Sequence, residues 1–241
     1  MLGRFLEYSI ITEDVQASLD FYVKLGFSVA EVGEAWPHPY AVVTDGRICL
    51  GLHQEPAPAP APLITFVKPD LVKYLLELER LGVEFEFRRL GDDVFNEVAW
   101  LDPSGHLIRL VEARTFSPSK RPATQTSLCG YFVEIALPAP SIEAAKAYWE
   151  QFGFVGMDEP DASLPHVSCT SDTIDVGLYA LKNLAHPTLV FDAEDVAARV
   201  DQLAQLGVQP SDELRRARQR APAALFTAPE GTQLLLASAD S

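Results

Sequence analysis

The chain has 241 residues, 48% of them hydrophobic and 22% charged, the balance of a globular protein with enough apolar side chains for a core. Acidic residues outnumber basic ones 34 to 19, and the formal charge of -15 opposes binding to the phosphate backbone of DNA or RNA. No stretch reaches the roughly 18 apolar residues of a membrane span, the N-terminus lacks a secretory signal, and Cys49, Cys129 and Cys169 show no metal or redox spacing, so reduced thiols in a cytoplasmic protein are expected.

Along the chain, Phe5 to Ile11 reads as a strand. Residues 14–25 follow as a helix with Val15, Leu19, Tyr22 and Val23 on one face, ended by Gly26, which tolerates a left-handed turn. Short strands are predicted at 27–32, 40–44 and 47–53, with Asp45-Gly46 as the hairpin turn between the last two. The Pro-Ala alternation at 56–62 forbids helix and ladder alike and predicts a stiff connector. The pattern then restarts. A strand at 63–67 leads into a helix at 70–81 with Leu71, Tyr74, Leu75 and Leu78 on one face, and strands follow near 84–88, 95–101 and 107–112.

The second half repeats this order, with helices at about 142–151 and 193–206. Phe21-Tyr22 and Leu25-Gly26-Phe27 reappear as Tyr148-Trp149 and Phe152-Gly153-Phe154, a shift of 127. Leu50-Gly51-Leu52 returns as Val176-Gly177-Leu178 at 126, Leu81-Gly82-Val83 as Leu206-Gly207-Val208 at 125, and Asp102-Pro103-Ser104-Gly105 as Ala228-Pro229-Glu230-Gly231 at 126. A tandem duplication is therefore expected, with domains at 1–113 and 129–241 joined by an aperiodic linker at 114–128. Each domain holds two βαβββ units. The acidity is shared: 9 basic against 18 acidic residues in 1–113, and 10 against 16 in 114–241.

A strand, a helix carrying Phe-Tyr, Leu-Gly-Phe, three strands and a second unit closing on Asp-Pro-x-Gly, all found twice, resemble the vicinal oxygen chelate superfamily. Its members include glyoxalase I, extradiol dioxygenases and bleomycin-resistance proteins. The resemblance implies an α+β fold of four βαβββ units, forming two tandem glyoxalase-like domains with cup-shaped mixed sheets. It also implies metal ligands on the first and last strand of each unit, facing into the cup. The corresponding residues here are Glu7, Gly51, Leu63 and Arg109 in the first half, and Glu134, Gly177, Thr188 and Leu235 in the second. No pairing of units yields more than one good ligand, so the inherited metal site is expected to be lost and no cofactor is assigned.

Two readings of Glu7 and Arg109 stand. Either they receive a polar ligand group, Arg109 acting as a fork for a carboxylate or phosphate, or they pair with each other. Glu134 is a candidate ligand contact of the second half. His53 lies two residues beyond Gly51 on the cup-facing side of its strand, His186 two before Thr188, while His38, His106 and His166 read as loop residues. Trp36 and Tyr40, around a Pro-flanked loop, are candidates for stacking on a planar ligand at a cup mouth. Ligand-binding residues are thus expected among Glu7, Trp36, Tyr40, His53, Arg109 and Glu134, with no catalytic residue assigned. The Arg215, Arg216, Arg218 and Arg220 cluster is expected on a solvated face.

The expected function is small-molecule binding of the glyoxalase/bleomycin-resistance type without the inherited metal, as in drug sequestration or resistance. The alternative is a metal-dependent lyase or dioxygenase of the same superfamily with a rebuilt divalent-metal site. The expected partner is a small molecule rather than nucleic acid or a membrane, with the chain a monomer or homodimer.

Overall fold

The computed structural model describes residues 2–32, 36–54, 62–113, 127–158, 166–181, 184–211 and 223–238. The first half runs β1 (Arg4–Ile11), α1 (Val15–Lys24), β2 (Ser28–Val29), β3 (Tyr40–Thr44), β4 (Cys49–His53), β5 (Leu63–Lys68), α2 (Leu71–Arg80), β6 (Phe85–Arg89), β7 (Glu97–Leu101) and β8 (Leu107–Glu112). The second runs β9 (Tyr131–Pro138), α3 (Ile142–Gln151), β10 (Val155–Asp158), β11 (His166–Thr170), β12 (Val176–Tyr179), β13 (Thr188–Asp192), α4 (Val196–Gln205), β14 (Ala223–Thr227) and β15 (Gln233–Ala237). The order is βαβββ throughout, except that the fourth unit lacks one strand among the described residues. The counterpart of β6 falls near 211–215, which lies almost wholly outside them.

The strands form two mixed sheets, ordered β2-β3-β4-β1-β5-β8-β7-β6 and β10-β11-β12-β9-β13-β15-β14. β1 runs antiparallel to β5, and β9 to β13, while β5–β8 and β13–β15 are parallel. By spatial contact the chain divides into two compact bodies. One comprises Met1–Ser9, Pro56–Pro118 and Leu137–Ala185; the other comprises Ile10–Glu55, Ser119–Ala136 and His186–Ser241. The first body thus joins α2 and its strands to α3, and the second joins α1 to α4.

Aromatic edges build both cores. In the first body Phe66 packs edge-on against Phe5 and Phe154, with centroids 6.0 and 6.4 Å apart, and the Trp100 indole N–H donates to the Tyr148 hydroxyl at 2.6 Å. In the second, Phe27 and Phe132 both set edges on Phe191, at 6.4 and 5.6 Å. Three of the four helices start on a side chain that accepts from the first turn: Asp14 from the Ala17 N–H, Ser141 from Ala144 and Asp195 from Ala198. Gly26 closes α1 at φ 85, the left-handed geometry its Leu-Gly-Phe setting predicts.

Helix α2 buries Leu71, Tyr74, Leu75 and Leu78, the face read from periodicity. In α1 the buried residues are Ser18 and Tyr22, whereas Val23 is 46% exposed. The reason is distant in sequence. The Ser18 and Tyr22 hydroxyls donate to the Glu230 carboxylate at 2.9 and 2.7 Å, which turns that polar edge of the helix inward. The strand expected at 27–32 shrinks to Ser28–Val29. The hairpin between β3 and β4 holds four residues, 45–48, and not two. Asp45 Oδ1 accepts from the Arg47 and Ile48 N–H groups, and Thr44 pairs with Cys49. His166 stands on β11 and not in a loop. Most of the Pro-Ala connector, most of the linker and the arginine cluster lie outside the described residues. No helix among the described residues is long and apolar enough to cross a membrane.

Candidate functional site

Two polar constellations stand out, one in each body. In the first body, strand register aligns Glu7 with Thr65 and Thr65 with Arg109, so three neighbouring strands carry these side chains in one row. Ser9, two residues along β1 and therefore on the same face, donates to Glu7 Oε1 at 2.7 Å and shares a 2.7 Å hydrogen bond with the Thr65 hydroxyl. Leu63, the position expected beside Glu7, lies opposite Ser9 instead. Arg109 directs both Nε and Nη2 at Glu97 Oε2, at 2.8 and 2.6 Å, and Arg89 Nη1 reaches Glu97 Oε1 at 2.9 Å. The Arg109 and Glu97 side chains are 6% and 2% exposed. A charge-assisted pair this buried keeps the guanidinium fork engaged within the fold.

Glu97 was not among the candidates. Its signal in the sequence was an isolated carboxylate in the apolar run Glu-Val-Ala-Trp-Leu, one strand away from an isolated arginine in Leu-Ile-Arg-Leu-Val. Each would be costly to bury alone, so the two together imply a cross-sheet pair.

The second body gathers rings. Tyr40 and His53 are register partners across β3 and β4 and stack at 5.7 Å with an interplanar angle of 11°. Trp36 sets its edge on His53 at 5.4 Å and stacks on His38 at 5.8 Å. His38 Nε2 and His53 Nδ1 are 2.9 Å apart. His53 is fully buried, whereas Trp36, His38 and Tyr40 keep partial exposure. Three of the residues expected to bind ligand, Trp36, Tyr40 and His53, therefore form one cluster. His38 joins them because the Pro37–Pro39 segment lays it beside the end of β4.

The second half carries a related pair in exchanged order. His166 on β11 faces Tyr179 on β12, stacked at 4.9 Å and 15°. These are the counterparts of Tyr40 and His53 at a shift of 126.

The superfamily's metal positions can be tested against these side chains. In the second body Glu134 is buried and stands opposite Val190, whose other neighbour is Leu235. The Thr188 hydroxyl is 3.1 Å from both the His186 carbonyl and Gln233 Oε1. That set holds one carboxylate, one engaged hydroxyl and one hydrocarbon. The first body offers Glu7, Leu63 and a guanidinium, which repels a cation. Neither donor set fits a divalent ion of the 2-His-1-carboxylate or zinc type. Among the described residues, no group of three or more His, Cys, Asp or Glu side chains gathers where it could hold a metal ion. His186 is exposed at the approach to β13.

Comparison with known proteins agrees with this architecture. Residues 4–110 match the family model of the Glyoxalase/Bleomycin resistance protein/Dioxygenase superfamily. Among solved structures, a catechol 2,3-dioxygenase superposes with TM-score 0.61 at 14% identity, covering 98% of this chain and 87% of the other. An extradiol ring-cleaving dioxygenase from B. fuscum gives 0.63 at 15%, covering 98% and 71%, and the halotolerant catechol dioxygenase BphC gives 0.58 at 17%, covering 99% and 87%. At such identities the likeness is one of fold: two tandem glyoxalase-like domains. A search of curated proteins returned no match.

Proposed function

We propose that this chain is a small-molecule-binding protein of the glyoxalase/bleomycin-resistance type, holding a planar organic ligand against the Trp36, Tyr40 and His53 rings and serving sequestration or resistance. The observation that carries the proposal is the ring cluster. Trp36 and Tyr40 are partly exposed around a buried, register-locked His53, so a flat ligand meets pre-oriented faces with little side-chain entropy left to lose. The buried Arg109–Glu97 pair supports it, because one of the vacated metal positions is committed to an ion pair within the fold. The first half's excess of acidic residues favours cationic ligands over anionic ones.

Isothermal titration of the full chain with bleomycin and with proflavine, a planar cation, tests this. Trp36→Ala and Tyr40→Ala should each weaken binding of whichever probe binds by about tenfold, the loss of one stacked ring. Binding of either probe that both variants leave unchanged, or no binding of either, would reject the proposal. The second reading, a dioxygenase or lyase with a rebuilt metal site, draws on the extradiol dioxygenases among the structural neighbours. Turnover of catechol by freshly purified protein, with metal bound stoichiometrically, would establish it instead.

A further inference from the structure

We propose that His38 and His53 form a two-imidazole site for a divalent transition metal of tetragonal preference, Cu2+ above others. It is separate from the superfamily's metal positions and does not rest on the ligand-binding reading. The argument starts from the 2.9 Å between His38 Nε2 and His53 Nδ1. Metal–nitrogen bonds of about 2.0–2.1 Å put two imidazole nitrogens about 2.9 Å apart at a right angle, and about 3.3 Å apart at a tetrahedral angle. The observed separation matches the right-angled bite of square-planar or tetragonal ions, and the Irving–Williams order places Cu2+ first among these.

Both rings are held before any metal arrives. His53 is fully buried, register-paired with Tyr40 and stacked on its ring. Its backbone carbonyl accepts from the Thr12 N–H at 2.9 Å. Pro37 and Pro39 restrict the backbone on either side of His38, and the Pro39 carbonyl accepts from the Gln54 N–H at 3.0 Å. Trp36 stacks on the outer ring. In the metal-free state one imidazole donates its N–H to the other. On coordination that proton moves to the second nitrogen of the same ring, so both facing nitrogens present lone pairs. The remaining coordination positions fall to water or to an organic chelator. The two histidines are 15 residues apart in an unremarkable spacing, which is why only strand pairing discloses them.

The test is a Cu2+ titration of the full chain, without a polyhistidine tag, near neutral pH, followed by electron paramagnetic resonance. Expected are one equivalent per chain, superhyperfine structure from two nitrogens, and clearly weaker binding of Zn2+. His38→Ala should weaken Cu2+ by at least about tenfold, the scale of losses at metal sites. Because His53 is buried, His53→Asn is the accompanying variant, with circular dichroism confirming its fold, and His186→Ala is the control. If Cu2+ binds the His38→Ala and His53→Asn proteins as it does the parent, or if only His186→Ala abolishes it, the proposal fails. It fails equally if the parent binds no Cu2+, which would leave the pair a hydrogen bond alone. Proflavine binding, measured separately, reports on the ring cluster whichever way the copper result falls.

Discussion

Removing Glu97 should cost far more than its place near a sheet edge suggests. Its carboxylate takes two hydrogen bonds from Arg109, at 2.8 and 2.6 Å, between side chains 6% and 2% exposed. Breaking a buried ion pair from one side costs about 3–5 kcal/mol, because a charge stays in low dielectric without its partner. For Glu97→Leu we expect the low end, about 3 kcal/mol, since Arg109 stands in a row that also carries Glu7, Ser9 and Thr65. In a chain of this length that corresponds to about 6–12 °C in Tm. Arg109→Met should cost somewhat less, because Glu97 keeps the 2.9 Å contact to Arg89, which is itself 47% exposed.

The double variant decides the matter. Replacing a buried pair by apolar groups of similar volume is often close to neutral, so Glu97→Leu/Arg109→Met should be more stable than the sum of the single losses predicts, by about 2 kcal/mol. The assay is urea unfolding followed by circular dichroism, with the four proteins forming one cycle. A coupling below about 0.5 kcal/mol, the range of exposed pairs, would refute the claim that this pair is an internal structural unit. Titrating benzoate, a planar carboxylate, into the same folded proteins separates the two readings of Arg109: binding by the parent that Arg109→Met loses would mean that the guanidinium serves the ligand.

Alkaline pH should weaken the fold. Burial pushes the Cys129 thiol from its usual 9 up to about 12, and Tyr74 from 10 to about 12. Groups whose folded pKa is raised favour the native state fully below the unfolded value, and that contribution fades as pH climbs toward the folded one. Tm should therefore fall between pH 9 and 12, where the unfolded thiol and phenol ionise while the folded ones stay protonated. Cys129→Ala should flatten that part of the curve, and an unchanged slope would exclude the thiol as a cause. Gly130 has φ 109, and a Cβ there would meet the Asp192 backbone carbonyl, so Gly130→Ala should cost about 3 kcal/mol or more in urea unfolding. Its repeat partner Gly3, against the Val67 carbonyl, should behave alike.

What sequence reasoning recovers here is local, and what escapes it is brought together by pairing. The α2 face was legible because its four buried residues follow one helical stripe within eight positions. The α1 face was not, because Ser18 turns inward only to meet Glu230, 212 residues away. The same holds for the site. Trp36, Tyr40 and His53 were visible as ring-bearing residues near a strand end. Their union with His38 depends on the β3–β4 register, which sets Tyr40 against His53. Arg109 was visible as an odd cation in an apolar strand, but the partner that engages its fork comes from β7, the strand beside it.

The two halves place a stacked phenol and imidazole at the same station of the duplicated hairpin, in exchanged order. If Tyr40–His53 and His166–Tyr179 were merely two accidents of composition, nothing would place both at the same register station of the duplicated hairpin, stacked at 11° and 15°. A phenol and an imidazole facing each other across two strands conserve the shape of the pair under exchange, because both are flat rings of similar reach. The hydrogen-bonding ends do change places. In the first half the imidazole sits on β4, where His38 meets it; in the second it sits on β11, where its Nδ1 is buried without a partner among the described residues. An unpaired buried nitrogen costs stability unless something supplies the missing bond. Swapping the second pair, His166→Tyr with Tyr179→His, should therefore preserve stacking while moving the imidazole to the β4-like strand. If the exchange is only a packing alternative, the swapped protein should match the parent in urea unfolding to within about 1 kcal/mol. A larger loss would show that one of the two rings has a partner that the exchange removes.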